Sequence, residues 1–388
     1  MLAALERELA ALNTDVGIVQ TQYATWDEPL RLKSGVELAP VTLAYETYGT
    51  LNSQRDNAVL VMHALSGDAH AAGRHQPHDR KPGWWDTLIG PGRALDTTRY
   101  FVICVNVIGG CRGSTGPSSI NPATDQPYGA RFPVVTIPDM VAAQMRLLDR
   151  LGIETLQAAI GGSMGGMQVL ELAINYPDRV RQAVLLATAA KHSAQQIAFN
   201  HIGRQAIMHD PLWRDGDYYG HQPPAAGLAT ARMVGHMTYL SEERLQWRFG
   251  RKLQSAEELS YAHRSEFAVE SYLDYQGNSF VDRFDPNSYL YITKALDYFD
   301  ASDGFASLVA AFEQAQARFL VASFSSDWLY PPQNSEDIVA ALRVAGRDVD
   351  YVAMNSPLGH DAFLLDHERL TPLISEFLDT TEESGTPS

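Results

Sequence analysis

The stretch Gly161-Gly162-Ser163-Met164-Gly165-Gly166 constrains this chain more than any other. A mostly apolar run over 156–160 leads into it, and Met167, Leu170 and Ile174 follow at helical spacing. A strand that must become a helix within three residues turns sharply. The serine at the tip of such a turn is driven toward backbone angles that side chains rarely adopt. Glycines two before and two after it remove the side chains that the bend could not accommodate. The bend lifts the Ser163 hydroxyl above the carboxyl end of its strand. It also leaves the Met164 amide free at a helix N-terminus, where it can donate to developing negative charge. A glycine-rich string alone also fits a flexible loop; the flanking strand and helix patterns select the turn.

Around this point strands and helices alternate. Residues 58–62 and 100–107 read as buried strands, and 138–151 as a helix opened by Pro138 at its first position. Residues 183–187 read as the strand after the Ser163 helix, with earlier strands at 30–32 and 41–46 around a Ser34-Gly35 turn. Alternation of this kind means parallel pairing with right-handed crossovers. With G-x-S-x-G at the turn, the expected fold class is α/β: an α/β-hydrolase fold with a mostly parallel central sheet and an inserted helical lid domain. The insertion is expected over 191–300, where helices and turns replace the alternation for longer than a structureless loop allows. Placed after a strand next to Ser163, it would cover the site and exclude water. The core is then discontinuous, 14–190 and 301–380. It resumes with a strand at 318–322, a helix at 333–344, a strand at 349–354 and a last helix at 362–378. Residues 1–13, with Leu2, Leu5, Leu9 and Leu12 on one face, read as an extra helix, and 381–388 as a disordered polar tail.

A net charge of −16 argues against nucleic acid and anionic lipid as partners. No 18-residue apolar run is present, so no membrane span is expected, and the N-terminus lacks the marks of a signal peptide. The two cysteines, Cys104 in a strand and Cys111 in a Gly-rich loop, form no disulfide framework or metal-ligand spacing. A reducing, cytoplasmic setting follows, with no metal and no resident cofactor expected. The loop from Gly109 to Pro117 lacks the phosphate-binding G-x-x-x-x-G-K-[ST] pattern and reads as an edge of the pocket.

A serine hydroxyl needs a base to take its proton, and the base needs a carboxylate to hold it in the right tautomer. In this fold the order along the chain is serine, acid, histidine. Asp327 follows the strand beyond the lid and His360 follows the next one, so Ser163, Asp327 and His360 are the expected triad. The loop after residues 58–62 should supply a second oxyanion donor beside Met164, with the Leu65 amide as the candidate. His63 and His70 flank that loop and stay unassigned. In the lid, Arg232 can grip a substrate carboxylate, although a salt bridge within the lid would explain it equally. Asp361 can hold a substrate ammonium, although capping the final helix would explain it too.

Taken together, several stretches resemble the homoserine O-acyltransferases of the hydrolase-fold type. They are 161–168, Gly109-Gly110-Cys111-Arg112-Gly113-Ser114-Thr115-Gly116-Pro117, Lys81-Pro82-Gly83-Trp84-Trp85, residues 231–239 and Gly359-His360-Asp361. The resemblance implies transfer of an acetyl group from the co-substrate acetyl-CoA to the hydroxyl of L-homoserine, in methionine biosynthesis. It implies a ping-pong route with Ser163 acylated, Arg232 and Asp361 on the amino acid, Tyr239 near the site, and a homodimer formed through the lid. Succinyl-CoA as donor, with Arg112 as partner of the extra carboxylate, stays open. So do serine as acceptor and a plain serine esterase.

Overall fold

The structure, a computed structural model, describes residues 15–255 and 258–380; the helix expected over 1–13 and the tail 381–388 lie outside them. Eight strands form the central sheet: β1 (Gln22–Trp26), β2 (Val41–Tyr48), β3 (Ala58–Met62), β4 (Phe101–Val105), β5 (Leu156–Gly162), β6 (Val180–Leu186), β7 (Arg318–Phe324) and β8 (Val349–Met354). Their spatial order is β1-β2-β4-β3-β5-β6-β7-β8. The β1–β2 and β2–β4 pairs are antiparallel; every later pair is parallel.

Burial on both faces explains why the inner strands read as unbroken apolar runs. Along β3, Ala58, Leu60 and Met62 join one core cluster while Val59 and Val61 join the other. Helix α1 (Ile137–Leu151) and helix α2 (Met164–Asn175) cover the first face. The final helix supplies Leu370, Ile374 and Phe377 to the second. Helix α1 begins one residue earlier than expected: Thr136 closes a capping box with Asp139, so Pro138 is the second helical residue.

The edge differs from the sequence reading. Residues 30–31 pair with 37–38 in a separate hairpin, and the edge strand is β1, whose five residues bury little but Ala24. A half-exposed edge strand carries too weak an apolar pattern to announce itself.

Between β6 and β7 lie α3 (Ala194–Met208), α4 (Ala225–Tyr239), α5 (Glu242–Arg248), α6 (Ala268–Val281) and α7 (Pro286–Tyr298). After β7 comes α8 (Pro332–Val344). The last helical stretch is broken rather than continuous, because Asp366 (φ −87°, ψ 45°) leaves helical geometry and divides a short turn at Ala362–Leu365 from α9 (His367–Asp379).

Strand order reverses about β3: the chain moves outward to β4, then returns to β5 on the other side. Crevices in open α/β sheets form at such switch points, beyond the carboxyl ends of the strands. The loop after β3 and the turn after β5 meet there.

Candidate active site

Ser163 links β5 to α2 at φ 57° and ψ −123°, outside the conformations that a side chain normally adopts. The bend is held from three sides. Its amide donates to the Leu186 carbonyl at 3.0 Å, and the Thr188 hydroxyl donates to its carbonyl at 2.8 Å. A side chain at Gly165 would strike the Met62 carbonyl, and one at Gly161 would strike Gly165 itself. Glycine is required at both positions by close approach, as the motif implies. Helix α2 starts at Met164 with no side-chain cap from Ser163, which leaves its first amides to other partners.

The loops after β7 and β8 bring the other two groups together. Asp327 Oδ2 lies 2.7 Å from His360 Nδ1, while Asp327 Oδ1 accepts from the amides of Leu329 (3.0 Å) and Tyr330 (2.8 Å). These contacts fix both the carboxylate and the ring. Ser326 ties the loops to each other: its hydroxyl donates to the Ser356 carbonyl at 2.5 Å and accepts from the Gly359 amide at 2.9 Å. Asp327 and His360 are buried, and Ser163 and His360 open onto one cavity of about 570 Å³.

That cavity is also lined by Leu65, Arg232, Tyr239, Asp361 and Arg283. Arg232 reaches Ser66 Oγ at 3.4 Å, and its guanidinium stacks 4.5 Å from the Phe280 ring centre and 5.4 Å from that of Tyr239. Among the described residues it has no carboxylate in ion-pair range, so it forms no lid salt bridge. Asp361 leaves the helix after it without a side-chain cap, so capping does not explain it either. Burial pushes its carboxyl above the usual aspartate range, opposed in part by His360 and Arg232. A half-buried cation and a half-buried anion therefore face one cavity, and among the described residues neither has a partner in ion-pair range.

A family model described as alpha/beta hydrolase fold matches residues 57–361. The homoserine O-acetyltransferase of Solidesulfovibrio magneticus is 59% identical over 372 residues, covering 94% of each chain. The chain belongs to the homoserine O-acetyltransferase family of the α/β-hydrolase fold. Among solved structures, a homoserine O-acetyltransferase from Bacillus anthracis superposes with a TM-score of 0.88 at 32% identity, covering 94% of this chain and 98% of that one. Esterase E22 superposes almost as well, with a TM-score of 0.86 at 31% identity, covering 93% of this chain and all of the other.

An acetyltransferase and an esterase share this scaffold, so the side chains around Ser163 carry the distinction. Arg112, the sequence candidate for a second carboxylate, does not line the Ser163 cavity; it lies 3.9 Å from Asp68 and faces a neighbouring one. Arg283 lines the Ser163 cavity instead, and the neighbouring one as well. It donates to the Ser66 carbonyl at 3.0 Å, and burial together with the nearby Arg232 lowers its guanidinium to about 10. Sequence reasoning missed it because an arginine just past a lid helix has no distinguishing spacing.

Cys111 also lines the neighbouring cavity, where burial pushes its thiol up to about 11 and makes it a poor nucleophile. His63 is a bracket: Nδ1 contacts the Ala64 carbonyl at 2.8 Å and Nε2 accepts from the Val107 amide at 3.1 Å. His70 borders the cavity but is paired to Glu46 at 2.9 Å. Glu46, His70 and His75 are the one His/Cys/Asp/Glu group with metal-ligand reach among the described residues. Their 2.6 and 2.9 Å contacts are hydrogen bonds that already satisfy the carboxylate.

Proposed function

We propose that this protein transfers the acetyl group of acetyl-CoA to the hydroxyl of L-homoserine, giving O-acetyl-L-homoserine and CoA. The observation that carries the proposal is that Arg232 and Asp361, neither in ion-pair range of a protein partner among the described residues, both line the cavity that holds Ser163 and His360. An esterase needs the nucleophile; only an amino-acid acceptor needs a fixed cation and a fixed anion beside it. The high identity to a protein named for this reaction points the same way.

The shared cavity and the Asp327–His360 contact support the following roles. Ser163 Oγ attacks the thioester carbonyl and gives its proton to His360 Nε2; Asp327 stabilises the imidazolium through Nδ1. The Leu65 and Met164 amides donate to the oxyanion. Collapse breaks the C–S bond, and CoA leaves with the proton from His360. Homoserine then binds with its carboxylate on Arg232 and its ammonium on Asp361, with Tyr239 closing the wall. His360 takes the homoserine hydroxyl proton as that oxygen attacks the acetyl carbon, and Ser163 Oγ leaves with the same proton.

The lid covers this exchange and favours a held alcohol over water. Trp247, Tyr261 and Tyr275 are exposed on it, which supports a homodimer formed through the lid; sedimentation of the intact chain tests that. No helix of the described residues is long and apolar enough to cross a membrane. The decisive experiment follows free thiol from acetyl-CoA, and separately from succinyl-CoA, with and without L-homoserine. Thiol release indifferent to homoserine makes the protein an esterase. Faster turnover with succinyl-CoA overturns the acetyl donor, and faster turnover with serine overturns the acceptor.

A further inference from the structure

The two amides assigned to the oxyanion belong to different elements, and one buried side chain ties those elements together. The Leu65 amide lies in the loop after β3, and the Met164 amide opens α2. Gln168, one turn further along α2, donates from Nε2 to the His63 carbonyl at 3.1 Å. The same Nε2 is 3.5 Å from the Met164 carbonyl, and Oε1 accepts from Gln144 Nε2 of α1 at 2.8 Å. Two carbonyls on one side decide how this amide is turned, because only its N–H groups can donate to them. Gln168 and Gln144 are 0% and 1% exposed. An apolar side chain would fill either position without the cost of burying an amide.

His63 extends the tie to the next peptide. Its Nε2 accepts from the Val107 amide at 3.1 Å, which leaves the ring proton on Nδ1, 2.8 Å from the Ala64 carbonyl. Burial favours the neutral ring that this arrangement needs. The Gly67 amide donates to the same carbonyl at 2.9 Å. Ala64 C=O and Leu65 N–H are the two ends of one planar trans peptide and point in opposite directions. A carbonyl held on the ring therefore turns the Leu65 N–H away from it, and among the described residues that amide has no protein acceptor.

We propose, on the oxyanion assignment above, that Gln168 and His63 are positioning residues: Gln168 fixes the spacing between the Met164 and Leu65 amides, and His63 fixes the direction of the Leu65 amide. Neither side chain lines the Ser163 cavity, so each acts only through the backbone it holds. Close approach of Gly165 to the Met62 carbonyl sets how near α2 comes to β3; Gln168 sets where the loop leaves it. Donors placed before the reaction need no rearrangement as charge develops.

The test reads the oxyanion itself. An uncharged alkyl trifluoromethyl ketone, isotopically labelled at its carbonyl carbon, is attacked by Ser163 Oγ to give a hemiketal, and the serine proton passes to His360. The hemiketal oxygen occupies the place of the oxyanion, and carbon NMR across pH reads its ionisation. The variants are Gln168→Met, the Gln144→Leu/Gln168→Met pair, His63→Leu and His63→Asn, which keeps a donor at the place of Nδ1. Gln168→Met and His63→Leu should make the hemiketal about tenfold less acidic and lower kcat by about 10- to 50-fold, with the homoserine KM within about twofold. The glutamine pair leaves no side-chain amide orphaned, so it should regain stability without regaining rate. His63→Asn should recover most of the acidity lost in His63→Leu. A hemiketal as acidic in Gln168→Met as in the parent overturns the proposal, as does a glutamine pair with the parent's rate. Should the single variants fail to fold, parental acidity in the glutamine pair overturns it. A parent hemiketal no more acidic than the same hemiketal free in water strikes the oxyanion assignment instead.

Discussion

Gly359 lies so close beneath the end of the lid helix α4 that a Cβ on it would sit 2.5 Å from the Tyr239 carbonyl oxygen. The Ser241 amide nitrogen would be only 2.6 Å away, and Gly359 has a φ of +70°. Two contacts close the same seam: Ser241 Oγ donates to the Pro357 carbonyl at 2.5 Å, and Trp328 Nε1 to the Leu240 carbonyl at 3.0 Å. The helix carrying Arg232 and Tyr239 is thus packed on the loop carrying His360 and Asp361. Gly359→Ala should cost on the order of 2 kcal/mol, from the left-handed backbone and the clash together. It should also lower kcat and raise the homoserine KM in the same variant. Thermal unfolding and initial rates check this; a variant with unchanged rates would show that lid and loop move independently.

The strain at Ser163 separates stability from chemistry. Ser163→Gly should abolish thiol release from acetyl-CoA while raising the unfolding free energy by about 1 kcal/mol, because glycine adopts these angles freely. Ser163→Ala should be equally inactive but stay within about 0.5 kcal/mol of the parent, since alanine meets the same backbone restriction. Denaturant midpoints beside burst measurements decide it. A destabilised glycine variant would mean that the Ser163 side chain contributes to folding more than its backbone costs.

Arg232 and Asp361 should act on the second half of the reaction alone. Arg232→Ala and Asp361→Asn are expected to lower kcat/KM for homoserine by about 100-fold, the worth of a charge-assisted contact, and to leave the acylation burst unchanged. Asp361 holds an ammonium only when ionised, and its raised pKa makes that grip fail as pH falls. The acid limb of kcat/KM for homoserine should therefore flatten in Asp361→Asn. A burst that slows with the steady state would assign these residues to the acyl donor instead.

The sequence made the chemistry at strand ends legible because period and punctuation encode it. Ser163, Asp327 and His360 each follow an apolar run of fixed type, and each run is a strand of one sheet. What stayed hidden depends on through-space contact. Tyr330 is one more aromatic residue in sequence; only the fold sets it on His360 and against His192. Arg283 reaches Ser66 across 217 positions, and no local pattern records the break at Asp366. The dual readings of Arg232 and Asp361 could be separated only by finding which carboxylates and amides lie near them.

Two buried glutamates give the last prediction, because burial meets unequal partners. Burial raises both. At Glu46, hydrogen bonds from His70, His75 and Thr21 outweigh it and bring the carboxyl to about 2. Glu171, on α2, has only the Asn175 amide at 3.0 Å and rises to about 7. The signs are opposite. Glu46 has a folded pKa below its ordinary 4.5, so its contribution is present above pH 4.5 and lost as pH falls toward 2. Glu171 has a folded pKa above 4.5, so its contribution is complete below that value and lost as pH rises through 7. Glu171→Gln, neutral at every pH, should then raise the unfolding free energy by about 2 kcal/mol at pH 8 and change it little at pH 4.5. Urea unfolding of parent and variant at the two pH values measures the difference directly. A gain of the same size at both would trace to packing rather than to ionisation of the carboxyl.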